Sequence, residues 1–222
     1  MKALIIGATG ATGKDVLEVL IKDETFQQVD VFVRRPLLVS HKKINAHVID
    51  FDQPEAWKSL VQGDVLFSCL GTTLQAAGSK EAQWKIDYDY QYAFAQAAKE
   101  NQVSTYVLVS AGSASADSNL FYTRMKGQLE DAVKGLQFFK TIIFNPPLLI
   151  RKGSDRKVEV MAKKVLQFFN RIGLLRSQKP LPTEVLAQAM INAAKTAKTG
   201  LTQIKGEQIW DIANNNIQRG SL

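Results

Sequence analysis

Six short apolar runs rich in β-branched residues recur along the chain: KALIIG (2–7), VDVFVR (29–34), INAHVID (44–50), DVLFSCLG (64–71), TYVLVSAG (105–112) and QFFKTIIFNP (137–146). Runs that are near-continuously apolar, instead of alternating with polar residues, mark strands covered on both faces. Helical candidates lie between and after them, at 12–22, 54–61, 81–100, 121–134, 156–171 and 183–197, the last entered through LPTE with Thr183 as its N-cap. Strand-helix alternation with right-handed crossovers builds an α/β fold. The expected form is a doubly wound, mostly parallel sheet with helices on both faces and ligands at the carboxyl ends of its strands. With no internal repeat or linker, the 222 residues are read as a single domain (1–222), whose substrate-side extension lies mainly after residue 145.

Composition removes several function classes. Hydrophobic residues at 45% and charged residues at 22% exclude a disordered chain. Cys69 is the single cysteine, so no intramolecular disulfide forms, and no zinc-ligand spacing predicts a metal site. The apolar run of MKALIIGATG is too short for a signal peptide or a membrane span, which gives a cytoplasmic expectation. Net charge is +7, with many basic residues gathered in 151–179. No nucleic-acid-binding motif accompanies that charge, so a solvated helix face is preferred to a nucleic-acid surface. Within it, Val158, Met161, Val165, Phe168, Phe169 and Ile172 fall on one helical stripe. A helix covering a substrate pocket is preferred there to a partner contact or a membrane-surface helix. Monomer and homodimer both stay open.

The first strand runs into GATGATGK, whose Gly7, Gly10 and Gly13 are spaced G-x-x-G-x-x-G at the mouth of the first helix. Such glycines give a tight turn, close backbone approach to a pyrophosphate and close helix packing, with phosphate at the positive helix end. The loop residues Gly7, Thr9, Gly10, Ala11, Thr12 and Gly13 are therefore expected to bind a dinucleotide. The second strand ends in VFVRRP, so Arg34 and Arg35 stand where an NAD site commonly carries a carboxylate, and Asp30 comes too early to replace it. Guanidinium groups suit a 2′-phosphate. NADP(H) is thus the expected cofactor and NAD(H) the second choice. Asp50 and Phe51 end the third strand near the adenine position, and Leu70, Gly71 and Thr72 follow the fourth.

FYTRMKG (121–127) places Tyr122 four residues before Lys126, which stacks both on one helical face. Alone, that pair is as consistent with chance as with catalysis. Together with VRRP, SCLGTTLQAAGS, KIDYDY, YVLVSAGSASADSNLFYTRMKG and IFNPPLLI, in that order over nearly the whole chain, it resembles the atypical short-chain dehydrogenase/reductases. The closer similarity is to their Tat-interacting-protein-like oxidoreductase branch.

The resemblance implies a Rossmann fold, NADP(H) binding and a Tyr-x-x-x-Lys catalytic pair on Tyr122 and Lys126. An unperturbed tyrosine, with a pKa of about 10, exchanges protons poorly at neutral pH, and a neighbouring ammonium would favour the phenolate. Lys126 would also hold the nicotinamide ribose. Ser110 is the expected serine partner of the substrate oxygen, with Ser113 in the loop 111–120 the alternative, because Ala111 stands where many relatives carry the hydroxyl. Asn145 replaces the arginine of a more usual Arg-Pro-Gly. Lys85 and Asp87 match a signature beside the nicotinamide, while Tyr88, Tyr92 and Phe94 are read as packing residues. Two functions follow: an NADP(H)-dependent oxidoreductase of a small carbonyl or alcohol, or an NADP(H)-sensing regulatory protein with little turnover. His41 and His47 are placed away from either chemistry.

Overall fold

The computed structural model describes residues 1–150 and 180–214. Seven parallel strands form one sheet in the order β3-β2-β1-β4-β5-β6-β9. They are β1 (Lys2–Ile6), β2 (Gln28–Val33), β3 (Ile44–Val48), β4 (Val65–Ser68), β5 (Thr105–Val109), β6 (Lys140–Asn145) and β9 (Gly200–Lys205). The expected α/β, doubly wound Rossmann sheet is therefore present. Its order reverses at β1, whose Ile6 pairs with Phe32 of β2 on one side and with Ser68 of β4 on the other. A crevice opens at the strand ends beside such a reversal.

Side-chain alternation along β1 explains why the run reads as continuously apolar. Ala3 and Ile5 join the core on one face, with α1 (Ala11–Lys22), α7 (Thr183–Thr196) and α8 (Gln208–Asn214). Leu4 and Ile6 join the other, with α5 (Tyr90–Glu100) and α6 (Phe121–Gly135). Both faces are dry, so both sets of alternating residues must be apolar. On the second face Trp57 and Phe94 stack with ring centroids 4.0 Å apart, one of the ring pairs that fix that layer.

Several sequence boundaries are corrected. Residues 81–100 are not one helix but α4 (Lys80–Trp84), a π turn (Lys85–Asp89) and α5. Residues 54–61 contain α2 (Pro54–Trp57) and a 3-10 turn (Lys58–Leu60). Strand β9 was missed because TQ interrupts GLTQIK and this edge strand buries only Ile204. Also missed was a small sheet pairing β7 (Leu149–Ile150) with β8 (Leu181–Pro182). Thr183 is not the N-cap: Pro182 holds the extended cap conformation, and the Thr183 hydroxyl, already in the helix, is buried with no hydrogen-bond partner among the described residues. A short α3 (Leu74–Ala77) follows β4. The helix expected at 156–171, with its apolar stripe and the basic segment around it, lies outside the described residues.

The β1-β2-β3 edge is tied by one buried carboxylate. Asp30 meets Lys2 Nζ at 2.9 Å and His47 Nε2 at 3.0 Å, and accepts a hydrogen bond from Gln28. Burial alone would raise its pKa, but the hydrogen bonds from His47, Lys2 and Gln28 outweigh it and hold the carboxyl below its ordinary value. A depressed folded-state pKa gives stability that is present above the unfolded pKa of about 3.9 and lost as pH falls through the folded value. Urea denaturation of Asp30→Ala is expected to show a loss of about 2–3 kcal/mol at neutral pH, shrinking below pH 4.

Candidate active site

The turn from β1 into α1 is backbone packed on backbone. Gly7 has φ +80°, and a Cβ there would lie 2.4 Å from the Cys69 carbonyl oxygen, while one on Gly13 would lie 2.1 Å from that of Gly7. Only glycine lets the turn sit this close to the end of β4 and lets α1 start directly against it. The Gly10 N–H donates to the Gly7 carbonyl at 2.9 Å, and Gly10 caps α1 with no side-chain hydrogen bond and no acidic residue in the first turn. The uncapped N–H groups and positive end of this 12-residue helix are available to an anion.

Beside this turn lies a pocket of about 220 Å³ lined by Gly7, Thr9, Gly10, Arg34, Phe51, Cys69, Leu70, Gly71, Thr72, Ile86 and Tyr90. It gathers eight of the residues expected from sequence to touch a dinucleotide. Thr12 and Gly13 are instead buried under the turn, and Ala11 is exposed on the first turn of α1. Asp50 is also outside the lining; its Oδ1 accepts the Asp52 N–H, and its neighbour Phe51 supplies the wall, tilted against the Tyr90 ring. Arg35 faces an adjoining cavity of about 510 Å³, which shares Thr9 and Arg34 with the first and adds Lys14. Arg34 and Arg35 are exposed and make no ion pair or hydrogen bond among the described residues. An open guanidinium beside an uncapped helix end and a cradle of glycines fits a phosphorylated dinucleotide.

Sequence reasoning missed Cys69, Ile86, Tyr90 and Lys14 in these walls. Lys14 follows the third glycine directly, which was the available signal. Tyr90 lies between Tyr88 and Tyr92, which were read as packing residues, but was not itself singled out; its hydroxyl donates to Asp52 Oδ1 at 2.8 Å. Burial pushes the Cys69 thiol up to about 12, which disfavours the thiolate.

Tyr122 and Lys126 share a face of α6, with the ammonium 5.9 Å from the phenol ring centre. Lys126 is buried and ion-paired to Asp87 Oδ1 at 2.8 Å. Burial raises the Tyr122 pKa, Lys126 pulls it down and Asp87 pushes it up again, leaving it above the ordinary value. The expected activation of the phenol by Lys126 is thus outweighed in the free protein. Ser110 is turned away: its buried hydroxyl donates to Glu130 Oε1 at 2.5 Å. Asn145 donates to the same oxygen and to the Ala111 carbonyl, and Gln203 donates to Glu130 Oε2 and Asn145 Oδ1. Ser113 stays in the loop 111–120, partly buried. Among the described residues no cluster with metal-ligand character occurs.

Thermal and urea unfolding should separate the glycines. Gly13→Ala is expected to lose about 3 kcal/mol of stability, since backbone must move. Gly10→Ala, whose Cβ would lie 3.2 Å from the Gly7 carbonyl, should lose about 1 kcal/mol or less.

A family model described as NAD(P)H-binding matches residues 7–165. The chain is 35% identical over 202 residues to Protein FMP52-1, mitochondrial, of Scheffersomyces stipitis, covering 88% of each chain. Among solved structures it is similar to the Bordetella bronchiseptica enzyme WbmH in complex with NAD⁺, with TM-score 0.71, 13% identity and coverage of 100% of this chain and 82% of that one. It is also similar to the oxidoreductase ylbE from Lactococcus lactis, with TM-score 0.68, 16% identity and coverage of 98% and 97%. The cytoplasmic expectation is corrected: relatives from Scheffersomyces stipitis, Aspergillus terreus and Emericella nidulans are all named mitochondrial, and a short apolar N-terminal run does not decide compartment. The glycine cradle, the parallel Rossmann sheet and the family match agree, and the chain belongs to the NAD(P)H-binding family.

Proposed function

We propose that the protein is an NADP(H)-dependent oxidoreductase acting on a small carbonyl or alcohol. The observation that carries this reading is the pocket beside the β1–α1 turn, lined in part by Arg34, which has no ion pair or hydrogen bond among the described residues. Gly7, Thr9 and Gly10 would carry the pyrophosphate on backbone N–H groups, Phe51 would border the adenine, and Leu70, Gly71 and Thr72 would line the path toward the nicotinamide. Arg34 and Arg35, with Lys14 near them, would meet the 2′-phosphate, which favours NADP(H) over NAD(H). When bound, the nicotinamide supplies or accepts the hydride. In reduction, Tyr122 would give its proton to the substrate oxygen, and Lys126, held beside the phenol ring in its ion pair with Asp87, would bind the ribose.

A specific observation favours a second reading, a nucleotide-sensing protein with little turnover. The Ser110 hydroxyl donates to Glu130 and so has no proton left for a substrate oxygen. Turnover measured across a carbonyl panel separates the two.

Calorimetric titration with NADPH and NADH tests the cofactor assignment. Wild-type protein is expected to bind NADPH more tightly, and Arg34→Ala/Arg35→Ala to lose about 2–4 kcal/mol of NADPH affinity while NADH binding changes little. Equal losses for both nucleotides would overturn the 2′-phosphate assignment, and binding of neither would overturn both readings.

A further inference from the structure

The buried partner of Lys126 is a residue that the proposed chemistry does not use. Asp87 lies in the π turn between α4 and α5 and is 1% exposed on its side chain; Lys126, on α6, is 3% exposed. A π turn inserts one residue beyond the α-helical count and re-aims the side chains around it. Here it is fixed from several directions. Gln91 donates to the Asp87 carbonyl at 2.7 Å, and Ser68, at the end of β4, donates to Gln91 at 2.7 Å. The second carboxylate oxygen of Asp87 accepts the Thr72 N–H at 2.9 Å, and Gln83 donates to the Thr72 carbonyl at 3.1 Å. One carboxylate thereby holds both the ammonium beside Tyr122 and the backbone of a residue lining the pocket.

We infer that Asp87 is a positioning residue that holds Lys126 in an ion pair, keeps the Tyr122 phenol in its proton-bearing form and sets the site for donation, the reducing direction. The inference rests on the reading of Tyr122 as the proton donor. A lone ammonium beside a phenol stabilises phenolate; an ammonium already paired with a carboxylate presents a dipole whose negative end acts against it. The charged groups facing this pair, from every element packed on it, are few. Lys126 feels Asp87 from the π turn, Glu130 one turn further along α6 and Tyr122 itself; Tyr122 feels Lys126 and Asp87. Among the described residues, only Asp87 is in ion-pair contact with the ammonium. With the carboxylate neutralised and the ammonium kept, the phenol would face net positive charge and ionise at lower pH.

The test needs neither cofactor nor substrate, so its outcome is independent of whether turnover is found. Phenolate absorbance near 295 nm is followed against pH for wild-type protein and for Asp87→Asn, each minus the same protein carrying Tyr122→Phe, which isolates one tyrosine. Asp87→Asn is expected to move the Tyr122 transition to lower pH by about one unit or more. An unchanged or raised transition overturns the inference. Because the amide variant leaves a buried ammonium unpaired and can cost the fold, the wild-type curve is a second check: a Tyr122 transition below the ordinary tyrosine value of about 10 overturns it without any Asp87 variant. If the protein also turns over a carbonyl, the alkaline limb of the Asp87→Asn reduction profile should move down in step, whereas a merely structural role would lower the rate at every pH alike.

Discussion

The ion pair between Lys126 and Asp87 is the interaction on which the arrangement of the candidate site depends. Both groups are out of water, and separating such a pair leaves an uncompensated buried charge costing about 3–5 kcal/mol. That penalty locks three pieces of chain to one another: α6, which carries Tyr122; the π turn; and the Thr72 segment after β4, which lines the pocket. None of the three belongs to a continuous element with another, so the charge pair sets their spacing. Hydrophobic packing on the same face, from Phe94, Leu129 and their neighbours, holds the helices against the sheet without fixing where a single phenol points.

The opposite wall is built by the absence of side chains. At Gly7 and Gly13 backbone meets backbone, which brings an uncapped helix end to the strand-order reversal. Positive charge then comes from the end of β2, where Arg34 and Arg35 have no ion pair or hydrogen bond among the described residues. Contrast Asp30, two turns of side-chain alternation earlier on the same strand: it is buried and satisfied by Lys2 and His47, and does structural work. Strand position separates the structural carboxylate from the two exposed arginines.

This division explains what could be read from the amino acids. The five inner strands β1, β2, β4, β5 and β6 were legible because a strand covered on both faces must be largely apolar, edge strand β3 was read although it buries no residue, and the glycine turn was legible because no other residue fits its contacts. Edge strand β9 was not, since Thr202 and Gln203 give it no apolar run. The break of 81–100 at a π turn was hidden as well: KIDYDY has ordinary helical composition, and the turn is imposed by Asp87 reaching Lys126 and Thr72, contacts 39 and 15 residues away in sequence. Asp87 could be placed beside the nicotinamide by resemblance, but for the same reason its ion pair with Lys126 could not be read. Ser110 illustrates the limit from the other side. Its place at the end of β5 could be read, but the direction of its hydroxyl depends on Glu130, Asn145 and Gln203 from other elements.

The central claim is that Tyr122 delivers a proton during NADPH-dependent reduction, and the most direct measurement is carbonyl-dependent NADPH consumption by wild-type protein and Tyr122→Phe, with NADPH affinity measured on both. The account predicts that a small carbonyl drives consumption by the wild type. Tyr122→Phe should bind NADPH equally well and lose about 10²–10⁴-fold in rate. Equal rates in the two proteins, or no carbonyl-dependent consumption from a wild-type protein saturated with NADPH, would contradict it.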